Sequence, residues 1–298
     1  MRPVDALIVA FALFLTVVNA VLAPRITPWL WLAGINIIVG GGIILLARPA
    51  SQTKSSFVRI VYDWYPAPLI FFSFKEIYVI IQALGRPDLD NVLITIDRWI
   101  FGVHPTVWLH QFAIPALTEL LQIAYASFYV LMIVTGLEPY LRKEHDRFNT
   151  AMFMYIYGFF LSYIGYLLVP GVGPRFTLHN FATLNNDLPG LFCTNALRDI
   201  VNAGESISKG AVNAIALAQR DVFPSGHTQM TLIVMYLATK FKLRSRYFLC
   251  LFGTLLIIAT VYLRYHYVID LIAGAGFMLF TIWTAPKVVR LWENFKRR

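Results

Sequence analysis

Three short segments carry polar side chains beside apolar runs, where such groups are costly unless they serve a function. They are PGVGPR at 170–175, FPSGHT at 223–228 and RYHYVID at 264–270. His266 and Asp270 are four residues apart, so a helix through them sets both on one face, one turn from each other. A carboxylate accepting from one ring nitrogen fixes the tautomer, leaves the other nitrogen free to attack and stabilises the imidazolium that develops. His227 follows Pro224, Ser225 and Gly226 at the start of an apolar run, where helix N-terminal amides and the helix dipole favour a bound anion such as phosphate. Gly226 permits close backbone approach, Ser225 adds a hydroxyl donor and His227 can give a proton to a departing oxygen. Arg175 and Arg264 supply fixed positive charge whose planar donors match phosphate oxygens. The chemistry this pattern fits is phosphoryl transfer. His266 is its nucleophile, Asp270 the group that orients it and His227 the general acid, with Arg175, Ser225, Gly226 and Arg264 on the phosphate. Two histidines and an aspartate could instead ligate a metal. An arginine-lined site favours an anion over a cation, so neither a metal nor a cofactor is expected.

The elements that must position these residues are apolar. Of 298 residues, 58% are hydrophobic and only 14% charged, and the mean hydropathy is +0.64, against about 25% charged residues in a soluble domain. Runs of about 20 apolar residues, long enough to cross a bilayer as helices, recur along the chain. They fall near 4–23, 28–47, 66–84, 114–137, 150–170, 226–241, 247–263 and 267–286. The expected fold is therefore all-α, a polytopic transmembrane helical bundle of about eight spans. Two N-terminal spans occupy 1–56, and 57–298 forms the catalytic membrane domain with a six-helix core. The first run is read as a retained span, not a cleaved signal. Residues 91–112 mix apolar and polar side chains with two tryptophans and read as interfacial. The long connection 171–223, with an amphipathic middle over 197–219, has the length of a functional loop.

An even number of spans puts both termini on one face, and the three polar segments then fall together on the other. Lys and Arg gather on the terminal face, as at Arg142, Lys143, Arg147, Lys240, Lys242, Arg244, Lys287 and Arg290. That face is expected to be cytoplasmic, and the site extracytoplasmic, periplasmic or lumenal. The formal net charge of +9 comes with no nucleic-acid motif, so anionic lipid headgroups are the simpler partner. Cys193 and Cys250 lie in a loop and a span and indicate neither a disulfide framework nor a zinc knuckle.

The motifs resemble the type-2 phosphatidic acid phosphatase superfamily, and more closely its branch containing inositol phosphorylceramide synthase and sphingomyelin synthase. PSGHT resembles the second superfamily motif, His266 with Asp270 the end of the third, and PGVGPR an equivalent of the first. The resemblance implies a phosphohistidine intermediate on His266, Asp270 as its orienting group, His227 as proton donor to the leaving group and Arg175 as phosphate clamp. Two departures stand out. Lys75 and Arg86-Pro87 do not reproduce the first motif's spacing, and Ala259 and Thr260 stand where the third motif usually has Ser-Arg. The second departure resembles the synthase branch, as does GRPDLDNVLITIDRWIFGVHPT at 85–106. The resemblance implies an integral-membrane, metal-independent phosphotransferase or phosphoric monoester hydrolase. Its substrate is a membrane lipid phosphate and its acceptor a lipid alcohol or water.

A function of another class fits part of the same pattern: a transporter that uses the basic and histidine cluster only to hold a headgroup. Internal repeats would favour it, and none is visible. His104, His110, His145 and His179 come without partner motifs and read as packed or interfacial residues. Lys75 and Glu76 sit inside a span, which makes them functional candidates without an assigned role.

Overall fold

The computed structural model describes residues 1–211 and 213–297, and all regular structure among them is helical. In chain order the helices are α1 Pro3–Val21, α2 Trp29–Gln52, α3 Ser56–Trp64, α4 Pro66–Leu84, α5 Asp90–Phe101, α6 Pro105–Trp108, α7 Pro115–Ala126, α8 Phe128–Leu141 and α9 His145–Leu168. The loop after α9 contains α10 Pro174–Thr177, α11 Leu184–Asp187, α12 Thr194–Gly204 and α13 Ala214–Leu217. The chain ends in α14 Gly226–Lys240, α15 Arg246–Tyr262 and α16 Val268–Arg297. Local sequence sets several of these ends. Proline opens α1, α4 and α7, where its missing N–H has no intrahelical acceptor to lose. Gly85 and Gly102 close α4 and α5 in the left-handed conformation.

Helices lie at all eight apolar runs, but they differ in length. Pro3–Val21, Trp29–Gln52, Ser56–Leu84, His145–Leu168 and Val268–Lys296 are long and apolar enough to cross a membrane, and α7 with α8 makes a sixth such stretch if the bent pair is one span. α14 and α15, with 15 and 17 residues, are shorter than the usual spanning length of about 20. The stretch read as one span over 114–137 is two helices meeting at 49°. Ser127 sits at their junction, and its hydroxyl donates to the Ala124 carbonyl at 2.7 Å, a side-chain bond that competes with the helical ladder.

α9 is the centre of the bundle. Phe148, Phe153, Met154, Ile156 and Tyr163 are buried on different faces of it, as expected of a helix surrounded by others. α1, α4, α8, α14 and α16 pack around it. The N-terminal pair joins this same core, with Phe11 of α1 stacked on Phe160 of α9 at 3.8 Å. Outward-facing residues such as Val17, Ile38, Leu45, Phe72, Leu251, Leu279 and Trp283 form a broad exposed apolar surface suited to lipid. At one end of the bundle, Arg2, Asp146, Lys240 and Glu293 line a common cavity. The other end carries the three polar segments and the folded loop 171–223.

Candidate active site

The three polar segments are stitched together through their backbones. The Arg175 N–H donates to the Arg264 carbonyl at 3.0 Å, and the Ser225 N–H donates to the Asp270 carbonyl at 3.0 Å. These bonds require unusual local conformations. Gly173 has φ +93°, and a Cβ there would lie 2.7 Å from the Tyr265 carbonyl oxygen, so only glycine fits the turn. Arg264 itself takes a left-handed conformation just past the end of α15.

Acidic side chains from elsewhere hold these segments. Asp90, at the start of α5, accepts from the backbone N–H groups of Val172 and Gly173 at 3.0 and 2.8 Å and from the Tyr267 hydroxyl at 2.8 Å. Asp97, two turns along the same helix, accepts from the Val268 and Ile269 N–H groups at 2.8 and 2.7 Å. Those are orphan donors at the start of α16, so Asp97 caps the helix that follows His266. Glu119 of α7 does the same for α12, accepting from the N–H groups of Leu191, Cys193 and Thr194 at 2.9, 2.7 and 3.3 Å. Sequence reasoning assigned none of these three acids to the site. The signal available was the seven-residue spacing of Asp90 and Asp97, which puts two acids on one face of an otherwise apolar amphipathic helix.

His266 lies in the turn before α16, only 4% exposed. Its Nδ1 is 2.9 Å from the Val222 carbonyl oxygen and 3.4 Å from Asp270 Oδ2. The carbonyl is the nearer acceptor. An acceptor against Nδ1 requires the proton there and leaves the Nε2 lone pair free. The orienting role expected of Asp270 is thus shared with a backbone group that no motif displays. Asp270 also accepts from the Tyr267 N–H at 2.8 Å, which ties the turn carrying His266 to the first turn of α16. Burial lowers the His266 pKa to about 4, with Asp221 and the Val222 carbonyl opposing the shift. Asp221, which no motif singled out, is itself raised by burial and pulled back by His266 and Arg175.

His227 stands in the first turn of α14, its ring centroid 5.8 Å from that of His266. Phe128 and Tyr125 flank it at 4.3 and 4.6 Å, and Tyr125 stacks in turn on Tyr265 at 4.2 Å. Arg175 closes this column, its guanidinium carbon 4.9 Å from the Tyr265 ring centroid. The bend between α7 and α8 is what brings Tyr125 and Phe128 to either side of Ser127 and against one histidine. Ser225 caps α14 by accepting from the Thr228 N–H at 3.2 Å. Gly226 is needed for space, since a Cβ there would lie 2.4 Å from the Tyr166 hydroxyl oxygen.

The two arginines face different ways. Arg175 is buried and acts electrostatically on both histidines, while its guanidinium donates to Glu205 and, at 3.1 Å, to Asn202 Oδ1. Arg264 points to a neighbouring cluster, where it donates to Asp187 Oδ2 at 2.8 Å and meets His110 Nδ1 at 3.1 Å. His179 stands by this cluster, bonded to the Thr106 hydroxyl at 3.0 Å, its pKa lowered to about 4 by burial and then by the Arg264 charge. The structure therefore brings together His266, His227, Asp270, Ser225, Gly226 and Arg175, and it turns the Arg264 side chain toward Asp187. Among the described residues, no three His, Cys, Asp or Glu side chains group as a metal-ligand set. Both cysteines are free thiols, and Cys193 donates to Glu119 at 2.8 Å.

Known proteins are similar to part of this sequence. A PA-phosphatase related-family protein of Dictyostelium discoideum is 25% identical over 183 residues, which cover 55% of this chain and 31% of that protein. The matched part is thus about a third of the length of this relative. No solved structure matches the chain. The model of the PAP2 superfamily matches residues 91–284, a stretch that takes in all three polar segments and both histidines. The chain belongs to the PAP2 superfamily.

Proposed function

We propose that the protein is an integral-membrane lipid phosphotransferase or phosphatase that works through a phosphohistidine on His266, without a metal. Membership of the superfamily supports lipid phosphatase or phosphotransferase chemistry. The observation that carries the mechanism is the contact of His266 Nδ1 with the Val222 carbonyl, close to Asp270, which leaves Nε2 as nucleophile beside a second histidine. His266 Nε2 attacks phosphorus, the bond from phosphorus to the leaving oxygen breaks, and protonated His227 gives that oxygen its proton. An acceptor hydroxyl then loses its proton to His227 and attacks phosphorus, and the phosphorus–nitrogen bond breaks. Arg175, the Ser225 hydroxyl and the amides at the start of α14 bind the phosphoryl oxygens. Arg264, whose side chain pairs with Asp187, has no place on the phosphate in this mechanism.

Transfer to a lipid alcohol, as in the inositol phosphorylceramide synthase-like branch, is the favoured outcome. The buried His266 and the aromatic column around His227 exclude water from the intermediate. The test is incubation of purified protein in detergent with EDTA, offering a phosphatidate-like lipid or phosphatidylinositol with ceramide, beside His266→Ala. A new phosphorylated lipid assigns a transferase, and free phosphate assigns a phosphatase with water as acceptor. Loss of product in the variant supports the nucleophile. Activity that required added metal, or that survived without His266, would overturn the mechanism.

A further inference from the structure

Glu76 is a buried carboxyl group, only 9% exposed, midway along α4 and unused by the chemistry at the histidines. Its Oε1 accepts from the side-chain amides of Asn19 in α1 and Asn36 in α2, both at 2.6 Å. Among the described residues Oε2 has no hydrogen-bond partner, and the only groups acting on the carboxyl are those two neutral amides. Its sequence neighbour Lys75 reaches elsewhere, donating to the Gly204 carbonyl at 2.5 Å and the Ser206 hydroxyl at 2.9 Å. Glu76, Asn36 and Ser73 are the polar residues lining a cavity of about 310 Å³ between α1, α2, α4 and α9, whose other walls include Phe11, Leu15, Leu69 and Phe160.

A carboxyl set in an apolar wall either keeps its proton or pairs with a cation, since two amide dipoles stabilise the charge without cancelling it; an amine can take the proton and leave an ion pair in place. We propose that this cavity is a binding site for a single-chain amphiphile bearing a protonated amine. Its ammonium group pairs with Glu76 Oε2, and its alkyl chain lies along the aromatic and aliphatic walls. The cavity is of ligand size and sits among lipid-facing helices, so such a molecule enters from the bilayer. A long-chain alcohol would make a hydrogen bond there but cannot take up the proton and form the ion pair.

The site shares no residue with the histidine centre, so binding can be read without an activity assay. Full-length purified protein in nonionic detergent is photolabelled with a long-chain alkylamine carrying a diazirine in its chain, in competition with dodecylamine or dodecanol. Label is expected on peptides of α1, α2 and α4, with dodecylamine competing about tenfold better than dodecanol. Glu76→Gln and, independently, Val39→Trp at the cavity wall are each expected to weaken labelling about tenfold. If Glu76→Gln does not fold, Val39→Trp with an unchanged unfolding transition decides the matter. Equal competition by the alcohol, labelling mapped elsewhere, or wild-type labelling in the folded variants overturns the proposal.

Discussion

At the residue scale the site depends on one neutral imidazole and one missing side chain. His266 is held at a pKa of about 4 by burial, against an ordinary value of 6.5. Below pH 6.5 the unfolded chain takes up a proton that the folded chain refuses, so this residue's contribution to stability is full above pH 6.5 and is lost as pH falls toward 4. Between pH 7 and pH 5 the loss is about 2 kcal/mol at 1.36 kcal/mol per pH unit. Thermal unfolding of wild type and His266→Ala at the two pH values tests it, because the wild type should lose more stability on acidification. The same low pKa keeps Nε2 unprotonated from neutral pH down to about pH 5, so the proposed nucleophile should set no acid limb in the rate over that range. Gly226→Ala drives a methyl group against the Tyr166 hydroxyl, 2.4 Å from the ideal Cβ position. A shift of about 1 Å in the neighbouring His227 would cost about a hundredfold in kcat, read by steady-state turnover. Both histidines were visible in the sequence because each stands in a short motif. The Val222 carbonyl was not, since a backbone acceptor has no residue type to announce it. Arg264 shows the same limit of local sequence, because its neighbour in sequence is His266 while its side chain pairs in space with Asp187.

At the scale of elements, acids on one helix position the start of another. Asp97→Ala would strip the first two N–H groups of α16 of their acceptor, destabilising the fold by about 1–3 kcal/mol for the exposed donors. Because α16 carries Asp270 and follows directly on His266, kcat should fall much more than KM changes, and Asp97→Asn, which keeps an acceptor oxygen, should recover part of it. Equal damage to kcat and KM, with no recovery by Asn, would show that Asp97 only holds the fold. The helices themselves were legible because apolar runs are local, and α1, α2, α4, α9 and α16 lie where hydropathy puts them. The clamps were not, because Asp90 reaches Gly173 and Asp97 reaches Ile269 across long stretches of chain. Nor was the break in the run over 114–137, which falls at a single serine, Ser127, inside a mainly apolar stretch.

At the scale of the whole molecule, charge and chemistry separate along the bundle axis. Asp146, Lys240 and Arg290, with the N-terminal Arg2, surround one cavity at one end, while His227, His266 and Arg175 lie at the other. α9 and α16 are long and apolar enough to cross a membrane, and spans along them would put the two groups on opposite faces. The excess of Lys and Arg near the termini favours the cytoplasm for that end, and we propose that the histidines open to the extracytoplasmic face. A lipid phosphate on that leaflet would reach the site without crossing the bilayer. With Cys193 and Cys250 replaced by serine, a single cysteine at the exposed Ser208 of the loop 171–223 should react with a membrane-impermeant maleimide in sealed cells. One at the exposed Arg244 should react only after permeabilisation. The reverse pattern would overturn the proposed topology and put the histidines on the inner face, since the two ends of α9 cannot exchange faces without turning the whole bundle over.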